Sequence, residues 1–404
     1  MTKSPEEMLR RKRSLRSLML ILFLGGVAVL ILLVRARVRG PTDADEFLET
    51  IAASRADVAL VAYTVGADGL PDASDPIVQQ NAGEKFPLAA VARIPLLLAY
   101  ADAVVQGRAK VDEPVSLDAW ERHHLNGTDG GAHATALRAL GLHVDAEGFS
   151  VAPKRDVLLD DVVAAMIQHN DNSAADFVLA RLGAVAAAQA LLDAGLTNHD
   201  PILPTAGFYL AAADADTEAG AKRVLAQGPQ ALWQTVQAAA DRFAKTEAGT
   251  PAQRQWLDKH PTPGTGVQAL WADQALTQGV ASQYATLMAK IATGHYGSAA
   301  VLPIVQRHLA WAMKLEGNEK LFKTFGSKGG TSVSIMTEAM FAVPNQGDYA
   351  GKTRVVVFLN RRMPSLRWFA LVRSYVHQQF IMKLALERAF ATKVAATFAA
   401  PAAP

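Results

Sequence analysis

Apolar positions along the chain form one unbroken run and a succession of periodic ones. The unbroken run is Leu18–Val34, LMLILFLGGVAVLILLV, which holds 17 residues and no charge. That length is at the short end of what crosses a bilayer core, about 17–25 residues. Beyond a short linker the pattern becomes periodic. Phe47, Leu48 and Ile51 share one helical face within Glu46–Ser54. Asp57–Val65 is rich in β-branched and aromatic residues and predicts a strand, with Gly66–Pro76 as turn and Ile77–Gln80 as a returning strand. An Ala/Leu-rich helix is predicted over 88–106, opened near Pro87 and ended at Gly107. Residues 122–155 carry many glycines and predict loop. Val157–Gly183 predicts two helices around a polar break, His169–Asn172.

Thr197–Ala206 predicts a loop, 208–245 helix, and 247–266 an exposed connection. Val280–Thr293 is an amphipathic helix, Ser332–Val343 and Thr353–Asn360 are strands, and Leu366–Phe398 is one long helix. Strands at both ends with helices between them define an α+β order: an antiparallel sheet of terminal strands, packed by helices, with an inserted helical lobe. No internal repeat is present. The predicted organisation is a basic tail at 1–17, a membrane span at 18–34, a linker at 35–45, one domain at 46–398 and an Ala/Pro tail at 399–404.

Charge orients this arrangement. Lys3, Arg10, Arg11, Lys12, Arg13 and Arg16 precede the apolar run, while Arg35, Arg37 and Arg39 follow it. The excess before the run predicts a cytoplasmic N-terminus, and a domain in the periplasm or outside the cell. Val34-Arg35-Ala36-Arg37 is a poor signal-peptidase site, so the expectation is an uncleaved anchor. The chain's net charge is +2, of which residues 1–39 hold +7 (nine Lys/Arg, two Glu), leaving −5 for the rest. A mildly acidic domain offers no electrostatic case for nucleic acid. The chain has no cysteine, which excludes disulfides, thiolate metal sites and cysteine nucleophiles. His123, His124, His133 and His143 lie in the glycine-rich stretch without a recognised ligand spacing, so no metal and no cofactor is expected.

Candidate chemistry begins at residues 86–95, FPLAAVARIP. A small-residue helix start of this kind suits a nucleophilic serine, with a lysine base one turn later on the same face. Ala90 has no nucleophilic atom, and Arg93 stays protonated and cannot act as a base. Two further segments follow in order: Asn170-Asp171-Asn172 between helices, and Ser327-Lys328-Gly329-Gly330-Thr331 before a strand. Together the three segments resemble the serine β-lactamase and penicillin-binding protein superfamily, class A β-lactamases most closely. That family carries Ser-x-x-Lys, Ser-Asp-Asn and Lys-Thr/Ser-Gly in these places. Lys110–Val115 also follows the first helix as in the family, and the resemblance spans about residues 43–390.

The resemblance implies a β-lactamase/transpeptidase-like fold and specific departures from its chemistry. Ala90 stands where the family has its nucleophile, Arg93 its lysine, Asn170 its proton-relaying serine, and Gly329 the hydroxyl residue that helps hold a substrate carboxylate. Asp171, Asn172, Lys328 and Gly330 match. Leu196–Leu210 offers only Asp200 where the family's deacylating glutamate is sought. By the family pattern, the backbone N–H groups of Ala90 and Thr331 would form an oxyanion pocket, made cationic by Arg93 and Lys328. The reading is therefore a membrane-anchored, non-hydrolytic scaffold or binding domain in the cell envelope. Its partners would be the inner membrane and a carboxylate-bearing ligand, such as a peptidoglycan-derived peptide, or an envelope protein. The alternative is an active serine hydrolase of β-lactamase or D-Ala-D-Ala peptidase type, using Ser173 or Ser327 as an unaligned nucleophile.

Overall fold

The computed structural model describes residues 40–400 apart from Pro153, Asp216 and 246–262. The apolar run at 18–34 and most of the 247–266 connection lie outside those residues. Nine strands are formed among the described residues: β1 Val58–Thr64, β2 Val78–Gln80, β3 Lys85–Pro87, β4 Pro114–Ser116, β5 Asp156–Leu158, β6 Gln278–Val280, β7 Phe322–Ser332, β8 Ile335–Pro344 and β9 Arg354–Asn360. Five make one antiparallel sheet in the order β2-β1-β9-β8-β7. β1 is thus zipped to β9, with Val58 opposite Asn360 and Thr64 opposite Arg354, which closes the two ends of the domain on each other.

β1, β8 and β9 are buried along their whole length. Their side chains alternate between two cores, as a pleated strand requires. Ala59, Val61 and Tyr63 of β1, with Val355, Val357 and Leu359 of β9, join the core shared with the helical lobe. Val58, Leu60 and Ala62, with Val356 and Phe358, face the core closed by the terminal helices Ala44–Ala52, Val376–Leu386 and Arg388–Ala399. Covering both faces of the sheet explains why TRVVVFLN reads as a nearly continuous apolar run rather than an alternating one.

The lobe lies between β3 and β7. Its central helix, Arg93–Val105, is almost wholly buried. The helices Thr205–Ala215, Glu218–Leu225, Pro229–Ala244 and Thr265–Gln274 close a smaller satellite core around Phe208, Val236 and Trp271.

Several expectations are corrected. The 122–155 stretch contains a helix, Ala132–Ala139, whose start follows Gly130 and Gly131, both at positive φ. The Ser327–Thr331 segment, expected just before a strand beginning at Ser332, is itself the end of β7, so Lys328 sits within a strand and not ahead of one. A two-residue turn at Val333-Ser334, with Ser334 at φ 68°, then returns the chain as β8. The single helix expected over Leu366–Phe398 is three: Ser365–Ser374, Val376–Leu386 and Arg388–Ala399. Tyr375 adopts a left-handed conformation at the first break and Glu387 an extended one at the second, so each closes the last turn of its helix and then turns the backbone out of it.

Candidate active-site cleft

The helix start is anchored before any functional group appears. β3 pairs with β6, and Leu88 N donates to Thr277 O at 3.0 Å. Ala89 then takes φ 45°, a left-handed conformation costly for a residue with a Cβ. A short 3-10 turn, Ala89–Ala92, leads into the Arg93–Val105 helix. From the other side, Thr337 Oγ1 on β8 donates to Leu88 O at 2.8 Å. Gly330 on β7 comes so near that a Cβ there would lie 2.5 Å from Ala90 N. The strand and helix start are therefore locked together, with Ala90 half-buried at the junction.

Arg93 is 6% exposed, and no carboxylate stands within ion-pair distance of it among the described residues. Its guanidinium donates to Asn172 Oδ1 and, at 3.4 Å, to Met166 O. Burial lowers its pKa, opposed by the more distant charges of Asp171 and Asp176. A guanidinium in this position remains a cation and a donor.

Asn170 follows a π-helical turn, Ala165–His169, and sits at φ 60°, ψ 29°. Asn tolerates that left-handed geometry better than most residues. Its Oδ1 accepts from Lys328 Nζ, which also donates to Gly329 O at 2.8 Å. Lys328 is 1% exposed. Burial drives its pKa well below the ordinary lysine value, with Arg93 adding to that and Glu338 opposing it. Gly329 lies opposite Glu338 in the β7–β8 register, and a Cβ on Gly329 would fall 2.6 Å from Glu338 Oε2. The Glu338 carboxylate thus fills the space that a hydroxyl residue at 329 would need. Burial raises its pKa to about 7, against the opposing charge of Lys328 and a Ser327 hydrogen bond. Ser327 is itself buried.

Asp171 is fully buried and turned away from the cleft. It caps the Asn172–Leu182 helix by accepting from Ala174 N at 3.1 Å. It also accepts from Ser173 Oγ at 2.6 Å and meets His133 Nδ1 at 2.8 Å. Ser173 Oγ is 3.0 Å from the same ring nitrogen. Serine and carboxylate therefore compete for Nδ1, whereas a base relay needs them on opposite ring nitrogens. Nε2 faces Glu121 Oε1 at 3.6 Å, within ion-pair range but too far for a hydrogen bond. Ser173, His133, Asp171 and Glu121 are each at most 1% exposed, so no substrate reaches them. Burial alone would lower the pKa of His133, but Asp171 and Glu121 push it up to about 9. Burial alone would raise that of Asp171, but His133 and Ser173 hold it well below the carboxylate range.

The cleft is a cavity of about 370 Å³, within the usual range for small-ligand sites. Ala90, Arg93, Asn170, Asn172 and Thr331 line it; Asp171, Lys328, Gly329 and Gly330 do not. The structure thus brings the three segments together but withdraws Asp171, Lys328 and Gly330 from direct contact with a ligand. Apolar walls come from Leu179, Ile202, Phe208 and Trp368, whose indole donates to Thr331 Oγ1 at 3.0 Å. Asp200 is bound to Lys85 at 2.6 Å and does not line the cleft. The acids that do are Asp129 and Asp176, both of which the sequence reading missed; Asp176 is the one enclosed. Its two oxygens accept from Thr205 N and Ala206 N at 2.6 and 2.7 Å, and burial raises its pKa to about 6. It follows the Asn170–Asn172 segment by one helical turn, the only signal that could have pointed to it. The histidines are not gathered as a donor set: His124 stacks on His133 and His123 packs on Phe177. No group of three or more metal-ligating side chains is arranged around a common point among the described residues.

An antiparallel sheet flanked by a helical lobe, with these three segments meeting at one cleft, defines the serine β-lactamase and penicillin-binding protein superfamily. Residues 45–301 match the beta-lactamase enzyme family, and the chain belongs to that family. No curated protein matches it by sequence. Solved structures with a similar fold include a beta-lactamase from Sphaerobacter thermophilus DSM 20745, at 15% identity and TM-score 0.48, covering 88% of this chain and 98% of that one. A beta-lactamase from Chitinophaga pinensis DSM 2588 aligns at 14% identity and TM-score 0.46, covering 83% and 98%. PBP-A aligns at 15% identity and TM-score 0.45, covering 89% and 99%.

Proposed function

We propose that this chain is a membrane-anchored, non-hydrolytic member of its family, whose periplasmic cleft binds a ligand bearing a carboxylate, such as a peptidoglycan-derived peptide or the C-terminus of an envelope protein. The observation that carries this reading is Arg93. At the place of the family's base stands a buried guanidinium without an ion-pair partner among the described residues, lining a cleft whose walls are apolar at Leu179, Ile202, Phe208 and Trp368. Such a group pairs with an anion and takes no proton. Lys328 adds little direct contact, because its ammonium is enclosed and held by Asn170. The neighbouring Ala90 supplies no attacking atom. The competing hydrolase reading needs Ser173 or Ser327, and the burial of both speaks against it.

Incubation with a penicillin followed by intact-mass analysis tests the non-hydrolytic half. No adduct and no β-lactam hydrolysis are expected from the wild-type chain, and slow acylation from Ala90→Ser combined with Arg93→Lys. An adduct on the unaltered protein, at Ser173, Ser327 or elsewhere, overturns it. The binding half is tested with a peptide ending in a free carboxylate and the same peptide as its C-terminal amide. Arg93→Gln should weaken the first at least tenfold and leave the second unchanged. Equal binding of the two peptides to the wild-type chain would reject the carboxylate reading.

A further inference from the structure

The helix Ser365–Ser374, SLRWFALVRS, presents different chemistry on each of its faces. Leu371 is buried in the core beneath it, while Trp368 and Val372, one turn apart, line the cleft. Leu366, Phe369 and Arg373 fall on the remaining face, at the spacing of one helical stripe. Leu366 is 62% exposed and Phe369 43%. Two large apolar side chains side by side in water call for an explanation that a lone one would not. Residues 361–386 hold five Lys/Arg and no Asp/Glu. Arg361, Arg362 and Lys383 are paired with acids. Arg367 and Arg373 make no ion pair among the described residues.

The same face meets the point where the chain enters the domain. Gly40 packs against Ala370 so closely that a Cβ on Gly40 would lie 2.8 Å from Ala370 Cβ. Val34, the last residue of the apolar run, is six residues earlier. Six residues reach at most about 22 Å. If Leu18–Val34 spans the membrane, this face cannot be held far from the bilayer surface.

We infer that the Ser365–Ser374 helix is a second membrane contact: Leu366 and Phe369 insert at the surface of the same bilayer that holds the anchor, with Arg367 and Arg373 against anionic lipid headgroups. Apolar side chains flanked by arginine are what an interfacial helix presents to such a surface. The cleft then opens beside the membrane, since Trp368 and Val372 belong to the same helix. This inference rests on the anchor assigned under the proposed function.

The chain has no cysteine, so single-site labelling tests it cleanly. The full chain is reconstituted in vesicles containing phosphatidylglycerol, with an environment-sensitive dye at Leu366→Cys, Phe369→Cys or Val185→Cys. Val185 is 85% exposed on the helical lobe and serves as the reference. Spin-labelled lipid should quench the dye at 366 and 369 at least twofold more than at 185. Adding Arg367→Glu and Arg373→Glu should halve that excess while the chain still floats with the vesicles. Equal quenching at all three positions in a chain that floats overturns the inference and leaves the anchor standing. An excess unaffected by the charge reversals overturns the headgroup contact. A chain that does not float overturns the anchor, and the inference falls with it.

Discussion

At the scale of single residues, the departures in the cleft are supported by their surroundings. Gly329 is held by space: its neighbour Glu338 places a carboxylate oxygen 2.6 Å from where a Cβ would lie. Gly330 is held more tightly, because a Cβ there would meet the backbone nitrogen of Ala90 at 2.5 Å and Thr337 Oγ1 at 2.7 Å. A side-chain oxygen can move at some cost, whereas that backbone nitrogen belongs to the locked helix start. Gly329→Ala should therefore lower stability by about 1–3 kcal/mol, the usual range for overpacking. Gly330→Ala should cost more. In a Glu338→Ala background the penalty at 329 should largely vanish while that at 330 persists, a coupling readable from urea midpoints as a double-mutant cycle. Restoring the family's hydroxyl at 329 thus requires changing 338 as well, and a point substitution alone should not rebuild the family's site.

At the scale of elements, the polar break between the helices is best understood as a cap with a buried ionic partner. Asp171 starts the Asn172–Leu182 helix and holds His133 on the Ala132–Ala139 helix, so one carboxylate fixes two elements. His133 is raised to about 9 from an ordinary 6.5. A base whose folded-state pKa is raised contributes stability that is complete below pH 6.5 and lost as pH rises through 9. Stability should therefore fall between pH 6.5 and 9, by on the order of 3 kcal/mol. His133→Gln should flatten that slope in urea titrations across the window, while lowering stability at a pH below it. His124, lowered to about 4 chiefly by burial, has the opposite sign: it withdraws stability as pH falls from 6.5 toward 4.

A second element-scale feature is Tyr375, at φ 55° and 58% exposed between two helices. Tyr375→Gly should relieve the left-handed strain and raise stability by about 0.5–1 kcal/mol in the same urea assay. These two features also mark where the sequence stopped being readable. Ala90, Arg93, Asn170 and Asn172 were legible because each stands in a short motif and reaches the cleft. The Asp171–His133 contact was not, because it joins residues 38 positions apart and neither partner's local pattern names the other. Glu338 was hidden in an apolar strand, where only the β8 register reveals what it faces. The Leu366–Phe398 stretch read as one helix because its interruptions use Tyr and Glu rather than Gly or Pro.

At the scale of the molecule, the sheet separates two cores, and the second depends on both ends of the domain. The Ala44–Ala52 helix and the last two helices cover one face, joined by Asp45 to Lys383 at 2.9 Å and to Lys393 at 2.6 Å. Arg55 donates to Thr397 O at 2.7 Å. These surface contacts contribute modestly. More stability comes from Phe390, Val394 and Phe398, buried from the Arg388–Ala399 helix. At about 1.5–3 kcal/mol each, their burial is worth roughly 5–9 kcal/mol, against a total stability of about 5–15 kcal/mol for a typical domain. A chain ending at Leu386 should therefore fail to give a cooperative unfolding transition, with Phe380 and Ile381 left uncovered and binding a hydrophobic dye. A chain beginning at Gly40 keeps every residue of both cores. It should unfold cooperatively at the same urea midpoint as the full chain in detergent, within about 0.5 kcal/mol, as expected for a change that leaves both described cores whole. If the truncation at 386 still unfolds cooperatively, the terminal helix is an appendage and the two-core account is wrong. If instead the chain from Gly40 loses its transition, the segment before it is needed to hold the domain together.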